Sequence, residues 1–265
     1  MGARRLPGGL LSRCRTGGHG KAQDHKISRD VGVGAAALRT ASNQEKALFA
    51  MKKTYIALLT AAAVLVCGCH CAGIRGNGHV TTDSRNISAF SEIEANGAFQ
   101  IEWRNGAPAL SITTDENLLN SIESENTDNR LRLHSYKNLW PTHGIKVVVS
   151  SPTRFGARLT GATRLTANQL SGAKFAVEST GAAHVTLDGN IDQLLADMTG
   201  ASELNAQSLQ TKTAEISTTG AADANIAVSE TLKVSITGAG KVIYSGNPPT
   251  IEKHIAGAGS IRHKE

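Results

Sequence analysis

The amino-acid sequence predicts an all-β protein, a single-stranded parallel β-helix (solenoid) with coils of about 19 residues. The phrase Thr-Gly-Ala occurs five times in the second half of the chain, followed by one Ala-Gly-Ala variant. The glycines of these phrases lie 20, 19, 20, 18 and 19 residues apart. Apolar and polar residues alternate after each glycine, which is the period of a strand. The six glycines, which we expect to be structural, are Gly161, Gly181, Gly200, Gly220, Gly238 and Gly257.

The alternation supplies the strands of each coil. The fourth and sixth residues after a glycine are apolar, as in Leu165 and Ala167, whereas the third and fifth are mostly polar. A second alternating run follows further on, as in Phe175 and Val177. Two or more short strands per coil, each coil stacked on the last at about 4.8 Å, fit a parallel β-helix.

The repeated phrase has a physical reason at a corner of the coil. Glycine allows the backbone to bend with a positive φ, or to pack closely where a Cβ would collide. Alanine keeps the corner narrow, and threonine suits a ladder of identical neighbours. Substitution of Gly220 by a residue with a side chain is therefore expected to damage folding.

Residues 85–152 are less regular. Alternation predicts strands near 87–94, 98–104, 108–113, 130–136 and 145–149, and Asp115 is expected to cap a short helix that runs to Ile122. The longest irregular insert runs from Tyr136 to His143 and contains Trp140. We expect these residues to form the first coils and a cap over one end of the solenoid, which makes residues 85–265 one domain.

The repeats, taken with four other stretches, carry a family resemblance. The stretches are Phe90–Ile93, Asn96–Phe99, Asp115–Leu118 and Leu131–Leu133. Over about residues 85–262 the chain resembles the putative auto-transporter adhesin, head GIN domain family of exported bacterial proteins. The resemblance implies a right-handed β-helix, often carried by a lipoprotein, with an adhesive or surface role and no established catalytic residues.

An export signal precedes the repeats. Two lysines after Met51 and an apolar run of about a dozen residues, too short to span a bilayer, predict a signal peptide over residues 51–68. The stretch Leu65–Cys69 resembles a bacterial lipobox, so Cys69 is the expected lipidation site, anchored through its acyl chains. A plain secretory peptide is the alternative; a metal site at Cys69, His70 and Cys71 lacks the usual ligand spacing.

The sequence also predicts the location of the protein. His70 follows the cysteine where aspartate would indicate inner-membrane retention, which favours an outer-membrane lipoprotein of the cell envelope. Residues 69–84 are expected to be a tether, and residues 1–50 a disordered extension or a mis-called start.

Charge excludes nucleic acid as a partner. The net charge is +6, but residues 1–69 hold 11 Lys and Arg against 3 Asp and Glu, and the remainder holds 17 against 19. This remainder lacks a basic stripe and aromatic stacking platforms. All four cysteines precede residue 72, so packing must hold the solenoid without disulfides.

No residue pattern predicts catalysis, a cofactor or a metal site. The outward column three places after each glycine mixes signs, as a solvated face does. A polysaccharide-active enzyme using Glu203, Asp223 and Lys241 is the alternative that this column leaves open. The calcium-loop-like stretch Asp188–Asp192 lacks the later glycine and glutamate ligands and is expected to be a turn.

The strongest binding candidates are a polar ladder and an aromatic loop. The ladder consists of Thr166, Thr186, Asn205 and Asn225, whose side chains can form hydrogen bonds with sugars. Trp140 can stack on a sugar or plug the cap. The sequence therefore predicts a non-enzymatic, lipid-anchored envelope protein that presents a rigid surface to a glycan or a partner protein. A structural scaffold that oligomerises through an open solenoid end is a further alternative.

Overall fold

The computed structural model describes residues 73–264. The signal peptide, the lipidation site Cys69 and the extension 1–50 lie outside the described residues and stay predictions. Within the described part, no helix is long and apolar enough to cross a membrane.

The described chain is almost entirely strand, as the alternation predicts. Seventeen strands and one 3₁₀ helix, Glu116–Ser121, are present. The strands are β1 Gly73–Arg75, β2 Val80–Arg85, β3 Glu92–Gly97, β4 Phe99–Asn105, β5 Ala109–Asp115, β6 Ile122–Thr127, β7 Arg130–Ser135, β8 Asn138–Trp140, β9 Ile145–Ser151, β10 Gly156–Gly161, β11 Arg164–Gly181, β12 His184–Gly200, β13 Glu203–Gly220, β14 Asp223–Gly238, β15 Lys241–Ser245, β16 Thr250–Gly257 and β17 Ser260–His263.

The strands stack in parallel as a β-solenoid, which confirms the predicted fold class. β11 to β14 each run through a whole coil and pair in parallel with their neighbours over most of their length. The segments that end at a corner glycine form one side, called here the upstream sheet. Those that follow a corner glycine form the other side, the downstream sheet.

The corner glycines have a left-handed backbone and pack closely on one another. All six predicted glycines have φ between 100° and 125°, and each pairs in register with the next, from Gly161↔Gly181 to Gly238↔Gly257. A Cβ at Gly220 would lie 2.6 Å from the carbonyl oxygen of Gly200. Ala221 N donates to that same oxygen at 2.8 Å, so the coils are bonded to each other where they turn.

Gly97 extends the glycine column by one coil. It pairs with Gly161, has a φ of 141° and ends β3. This position falls outside the period of about 19 residues because the intervening chain builds another coil first.

The first coils are stacked out of sequence order. β3 lies between β10 and β7, and β4 lies between β11 and β9, all in parallel. The coil of residues 92–105 is therefore covered on its outer side by the coil of residues 130–151, which comes later in the chain. Antiparallel strands complete this end. β6 pairs with β7, β5 pairs with β9, and β2 pairs with β5.

Two expectations for this end change. The carboxylate of Asp115 forms no cap of the 3₁₀ helix; it accepts hydrogen bonds from Gly78 N at 2.8 Å and from Thr142 N and Oγ1 at 2.8 and 2.7 Å. The carboxylate therefore ties two loops together. Part of the expected tether, residues 69–84, is strand: residues 73–75 form β1 and residues 80–84 belong to β2, and these strands pair with β8 and β5.

One continuous apolar core fills the solenoid. Leu165, Val185 and Leu204 stack along the downstream sheet, and Phe175, Leu194 and Ala214 stack along the upstream sheet, all fully buried. Trp103 lies between Phe90 and Phe175, with ring centroids 5.9 and 6.0 Å away. Buried Leu170, Ile191 and Leu209 lie in the segments of the coils that connect the downstream sheet to the upstream sheet.

Candidate ligand-binding face

The outward surface of the downstream sheet holds the candidate site. Ten strand segments lie side by side here, from β2 and β5 at one end to β15 and β17 at the other. Every second residue points away from the core, so the outward side chains form two columns. The columns hold third-position residues Lys146, Gln100, Arg164, His184, Glu203, Asp223, Lys241 and Ser260, and fifth-position residues Val148, Glu102, Thr166, Thr186, Asn205, Asn225, Ile243 and Arg262.

The four predicted ladder residues lie on adjacent coils in one column. Thr166 pairs with Thr186, Thr186 with Asn205, and Asn205 with Asn225. Adjacent strands are about 4.8 Å apart, so the ladder presents hydroxyl and amide groups at that interval. Thr186 and Asn205 are exposed, and the other two are half-buried. Within residues 73–264 the side chains of Thr166, Thr186 and Asn225 form no hydrogen bond, which leaves them free for a ligand.

Side chains of the neighbouring column make contacts between coils. His184 Nε2 lies 3.4 Å from Glu203 Oε2 on the next coil. The backbone N–H of Lys241 donates to Asp223 Oδ1 at 3.1 Å. One contact joins an imidazole and a carboxylate, the other a backbone N–H and a carboxylate, and both link neighbouring coils.

A shallow cavity of about 390 Å³ lies at one end of the ladder. Its polar lining comes from three coils: Lys146, Gln100 with Glu102, and Arg164 with Thr166. The Arg104 side chain donates to Glu102 at 2.7 Å, and this hydrogen bond lowers the pKa of Glu102 despite partial desolvation of the carboxylate. The cavity therefore combines two cations, a stable carboxylate, an amide and a hydroxyl.

Sequence reasoning missed most of this cavity. Gln100 and Glu102 follow Gly97, and Lys146 follows Gly144, but neither glycine belongs to the regular period. The available signal was the phrase Asn96–Phe99. Its Gly97 precedes Gln100 by three residues and Glu102 by five, the same spacing that separates each later corner glycine from its two outward residues.

Trp140 lies on another surface. It is the last residue of β8 and is 59% exposed. It lines a second cavity of about 390 Å³ together with Pro141 and the corner residues Gly97, Ala98 and Gly161. This cavity and the ladder cavity have no lining residue in common, so the structure does not bring Trp140 and the ladder together.

The alternative catalytic residues are in register but are not enclosed. Glu203, Asp223 and Lys241 occupy consecutive coils on the open sheet. Within residues 73–264 no group of three or more His, Cys, Asp or Glu is arranged to hold a metal ion. In the calcium-loop-like stretch, Asp188 accepts a hydrogen bond from Gln169 N at 3.2 Å, and Asp192 pairs with Lys212 at 2.7 Å.

Stacked coils with small-residue corners and an open polar sheet define a β-solenoid that displays a surface. Its family is that described as "Putative auto-transporter adhesin, head GIN domain", to which the chain belongs, since the family model matches residues 89–248. The description is that of a cell-envelope or surface protein.

A solved structure with a TM-score above 0.5 shows the same fold. A putative adhesin from Bacteroides fragilis NCTC 9343 has a TM-score of 0.62 and 22% sequence identity, over 72% of this chain and 100% of that one. A putative adhesin from Parabacteroides merdae ATCC 43184 has a TM-score of 0.48 and 20% identity, over 73% and 100% of the two chains. No curated protein matches the chain.

Proposed function

We propose that this protein is a lipid-anchored, non-catalytic adhesin of the outer membrane that binds a glycan on its downstream sheet. The observation that carries the proposal is the ladder Thr166, Thr186, Asn205 and Asn225, whose hydrogen-bonding groups lie at a fixed interval on a rigid sheet. Membership of an adhesin family supports a binding role.

The chemistry of the face favours a glycan over a protein partner. Protein interfaces have an apolar, often aromatic core inside a polar rim. In the outward columns of the coils from Gln100 to Asn225, every side chain is polar or charged, and one apolar residue flanks the fifth-position column at each end, Val148 and Ile243. A polyhydroxylated chain can exchange hydrogen bonds with successive coils, and the cations Lys146 and Arg164 in the cavity suit an acidic sugar.

Glycan-array binding with matched variants tests this proposal. Replacing Thr186 with valine and Asn205 with alanine removes two hydrogen-bonding groups, each contributing about 1 kcal/mol, so affinity should fall about 10- to 30-fold. Thr180→Val is the control, because Thr180 is an equally exposed threonine of the upstream sheet. Equal binding by the double variant and the control would exclude the ladder as the binding site.

The anchor and the absence of catalysis are tested separately. Mass spectrometry of the N-terminal peptide from the mature protein should find acyl chains on Cys69, and Cys69→Ser should release the protein from membranes. Turnover of a bound polysaccharide that disappears in Glu203→Gln would instead establish the enzymatic alternative.

A scaffold is the second candidate because one end of the solenoid is open. Within the described residues, β16 pairs only with β14, and β17 only with β15. Ile251 and Ile255 on β16 are 36% and 42% exposed. If the protein assembles through this end, light scattering will show oligomers that Ile255→Lys abolishes, without any glycan.

A further inference from the structure

The chain enters the solenoid directly beside Trp140. β1 pairs in parallel with β8, and this pairing places Arg75 opposite Trp140. Gly76 N donates to Trp140 O at 2.9 Å. The indole covers Gly73 so closely that a Cβ at that position would overlap the ring. The start of the described chain is therefore fixed against this side chain.

The position of Gly73 limits how far the solenoid can lie from a lipid anchor. Cys69 is four residues before Gly73. Four residues span at most about 14 Å when fully extended. This inference rests on the proposed lipid at Cys69, which puts the bilayer surface within that distance of Gly73. Because Trp140 is in contact with Gly73, the indole also lies near that surface.

The side chains at this entry point suit a bilayer surface. Trp140 is 59% exposed, and tryptophan prefers the boundary between headgroups and acyl chains, where its ring is apolar and its N–H stays hydrated. Arg75, which pairs with Trp140, and Lys137, three residues before Trp140, are both exposed. Residues 73–79 and 136–144 contain no carboxylate. Cations near a membrane surface are attracted to anionic headgroups.

The nearby carboxylates do not offset these cations fully. Asp115 is completely buried and accepts hydrogen bonds from Gly78 and Thr142. Glu116 is exposed, and its backbone N–H donates to His79 O at 2.9 Å. Glu123 is half-buried, accepts a hydrogen bond from Tyr136 and lies 3.0 Å from His134 Nε2. Of the acids in contact with these two segments, Glu116 is therefore the exposed one, and it accompanies two exposed cations, Arg75 and Lys137.

We propose that Trp140, Arg75 and Lys137 form a membrane-contact patch that seats the anchored solenoid on an anionic phospholipid surface. Trp140 inserts at the headgroup boundary, and the two cations bind lipid phosphates. The contact adds to the lipid anchor and sets the orientation of the solenoid, because a single flexible tether would leave the orientation free.

Tryptophan fluorescence can test the patch directly. The described chain has two tryptophans, and Trp103 is fully buried, so changes in emission report on Trp140. The protein for the test is the expected mature form, residues 69–265, since residues from Cys71 onward form a compact unit that includes the whole described core. Cys71→Ser leaves Cys69 as the single thiol, which is coupled to maleimide-phosphatidylethanolamine in vesicles of phosphatidylethanolamine and phosphatidylglycerol.

Trp140 emission should shift to shorter wavelength, and lipids brominated in their acyl chains should quench it, because an interfacial tryptophan lies beside the acyl chains. Lys137→Glu combined with Arg75→Glu should weaken this quenching, whereas Lys174→Glu, an exposed lysine elsewhere, should not. A tryptophan moved to an exposed aromatic position outside the patch, by Phe155→Trp in a Trp140→Phe background, should stay unquenched; Phe155 is 56% exposed.

Unshifted and unquenched Trp140 emission on vesicle-bound protein would overturn the proposal, as would equal quenching of the tryptophan at position 155. Because the lipid is attached chemically, these outcomes do not depend on whether cells lipidate Cys69. Absence of acyl chains on native Cys69 would refute the anchor, and failure of quenching with a coupled lipid would refute the patch.

Discussion

Replacing Gly220 with alanine tests the corner that repeats along the solenoid. Gly220 has a φ of 111°, and a Cβ there would lie 2.6 Å from the carbonyl oxygen of Gly200. That oxygen also accepts the hydrogen bond from Ala221 N at 2.8 Å. An added methyl group therefore imposes an unfavourable φ and pushes apart two coils that are bonded at the same atom.

The magnitude follows from these two effects. A residue with a side chain held in a sparsely populated φ/ψ region costs about 1–3 kcal/mol. Weakening one backbone hydrogen bond removes about 0.5–1.5 kcal/mol more. We expect Gly220→Ala to lower the free energy of unfolding by about 2–4 kcal/mol, which for a body of this size lowers the Tm by about 4–16 °C.

Two other glycines separate the two effects. Gly172 has a φ of 134°, but a Cβ there meets no atom within 4 Å. Gly240 has an ordinary φ, but its Cβ would lie 2.6 Å from Ala222 O. Gly172→Ala therefore reports the backbone strain alone, and Gly240→Ala reports the collision alone.

The assay is urea unfolding followed by far-ultraviolet circular dichroism, with all three variants compared with the parent protein. Gly220→Ala should be more destabilising than Gly172→Ala. If these two variants lose the same free energy, the close approach of the coils contributes nothing. If Gly220→Ala leaves the midpoint unchanged, the explanation of the corner fails as a whole.

Three further predictions concern buried polar groups. Arg154 is 6% exposed, and its guanidinium donates to Asn168 O at 2.7 Å and to Gln169 O at 2.5 Å. Arg154→Met should therefore lower the free energy of unfolding, measured by urea titration, by about 2–4 kcal/mol. An unchanged urea midpoint would mean that water replaces these hydrogen bonds. Burial alone would raise the pKa of Asp115, but hydrogen bonds from Thr142 and Gly78 outweigh it and hold the pKa below its usual value. Stabilisation by Asp115 is therefore complete above the unfolded pKa of about 3.9 and is lost as the pH falls through the lower folded pKa. The Asp115→Asn variant should be less stable than the parent at neutral pH and should lose less stability on acidification. Parallel pH profiles of stability for the two proteins would contradict this. The Oγ1 of Thr218 is buried without a hydrogen-bond partner among the described residues, so Thr218→Val should raise stability by about 1 kcal/mol, and a lower thermal midpoint would show that the hydroxyl is bonded in solution.

The regular part of the fold could be predicted because each coil repeats the same local demands. A glycine at the corner and an alternating strand after it recur in every coil from Gly161 onward, so period and register were readable without pairing information. The prediction reached even the pairing of Thr166 with Thr186, since both lie five residues after a glycine.

The first coils could not be predicted in the same way. Alternation marks a strand but does not reveal its partner, and β3 pairs with β10 across more than 60 residues of chain. For example, β4 pairs with β9 in parallel and β5 pairs with β9 antiparallel, yet both show the same alternation. The order of these coils depends on tertiary packing, which no local pattern reports.

Part of the candidate site could be predicted from the repeat, and part could not. The ladder followed from the period, whereas the Lys146 side of the cavity depends on which strands meet beyond Gly97. The position of Trp140 depended on β8, a three-residue strand too short to be recognised from its sequence. The roles of Asp115 and Arg154 also escaped prediction, because both hold backbone groups of segments distant in the chain.

The inverted order of the first two coils has a consequence for how such molecules change length. The coil of residues 130–151 lies outside the earlier coil, and antiparallel strands seal that end, so an added repeat there would have to break existing pairs. Beyond Gly161 each coil meets only the coil before and the coil after it, and a duplicated unit would be accepted without re-pairing. Gene duplication can therefore lengthen the rod only on the side away from residue 73, giving descendants of different reach with the same base.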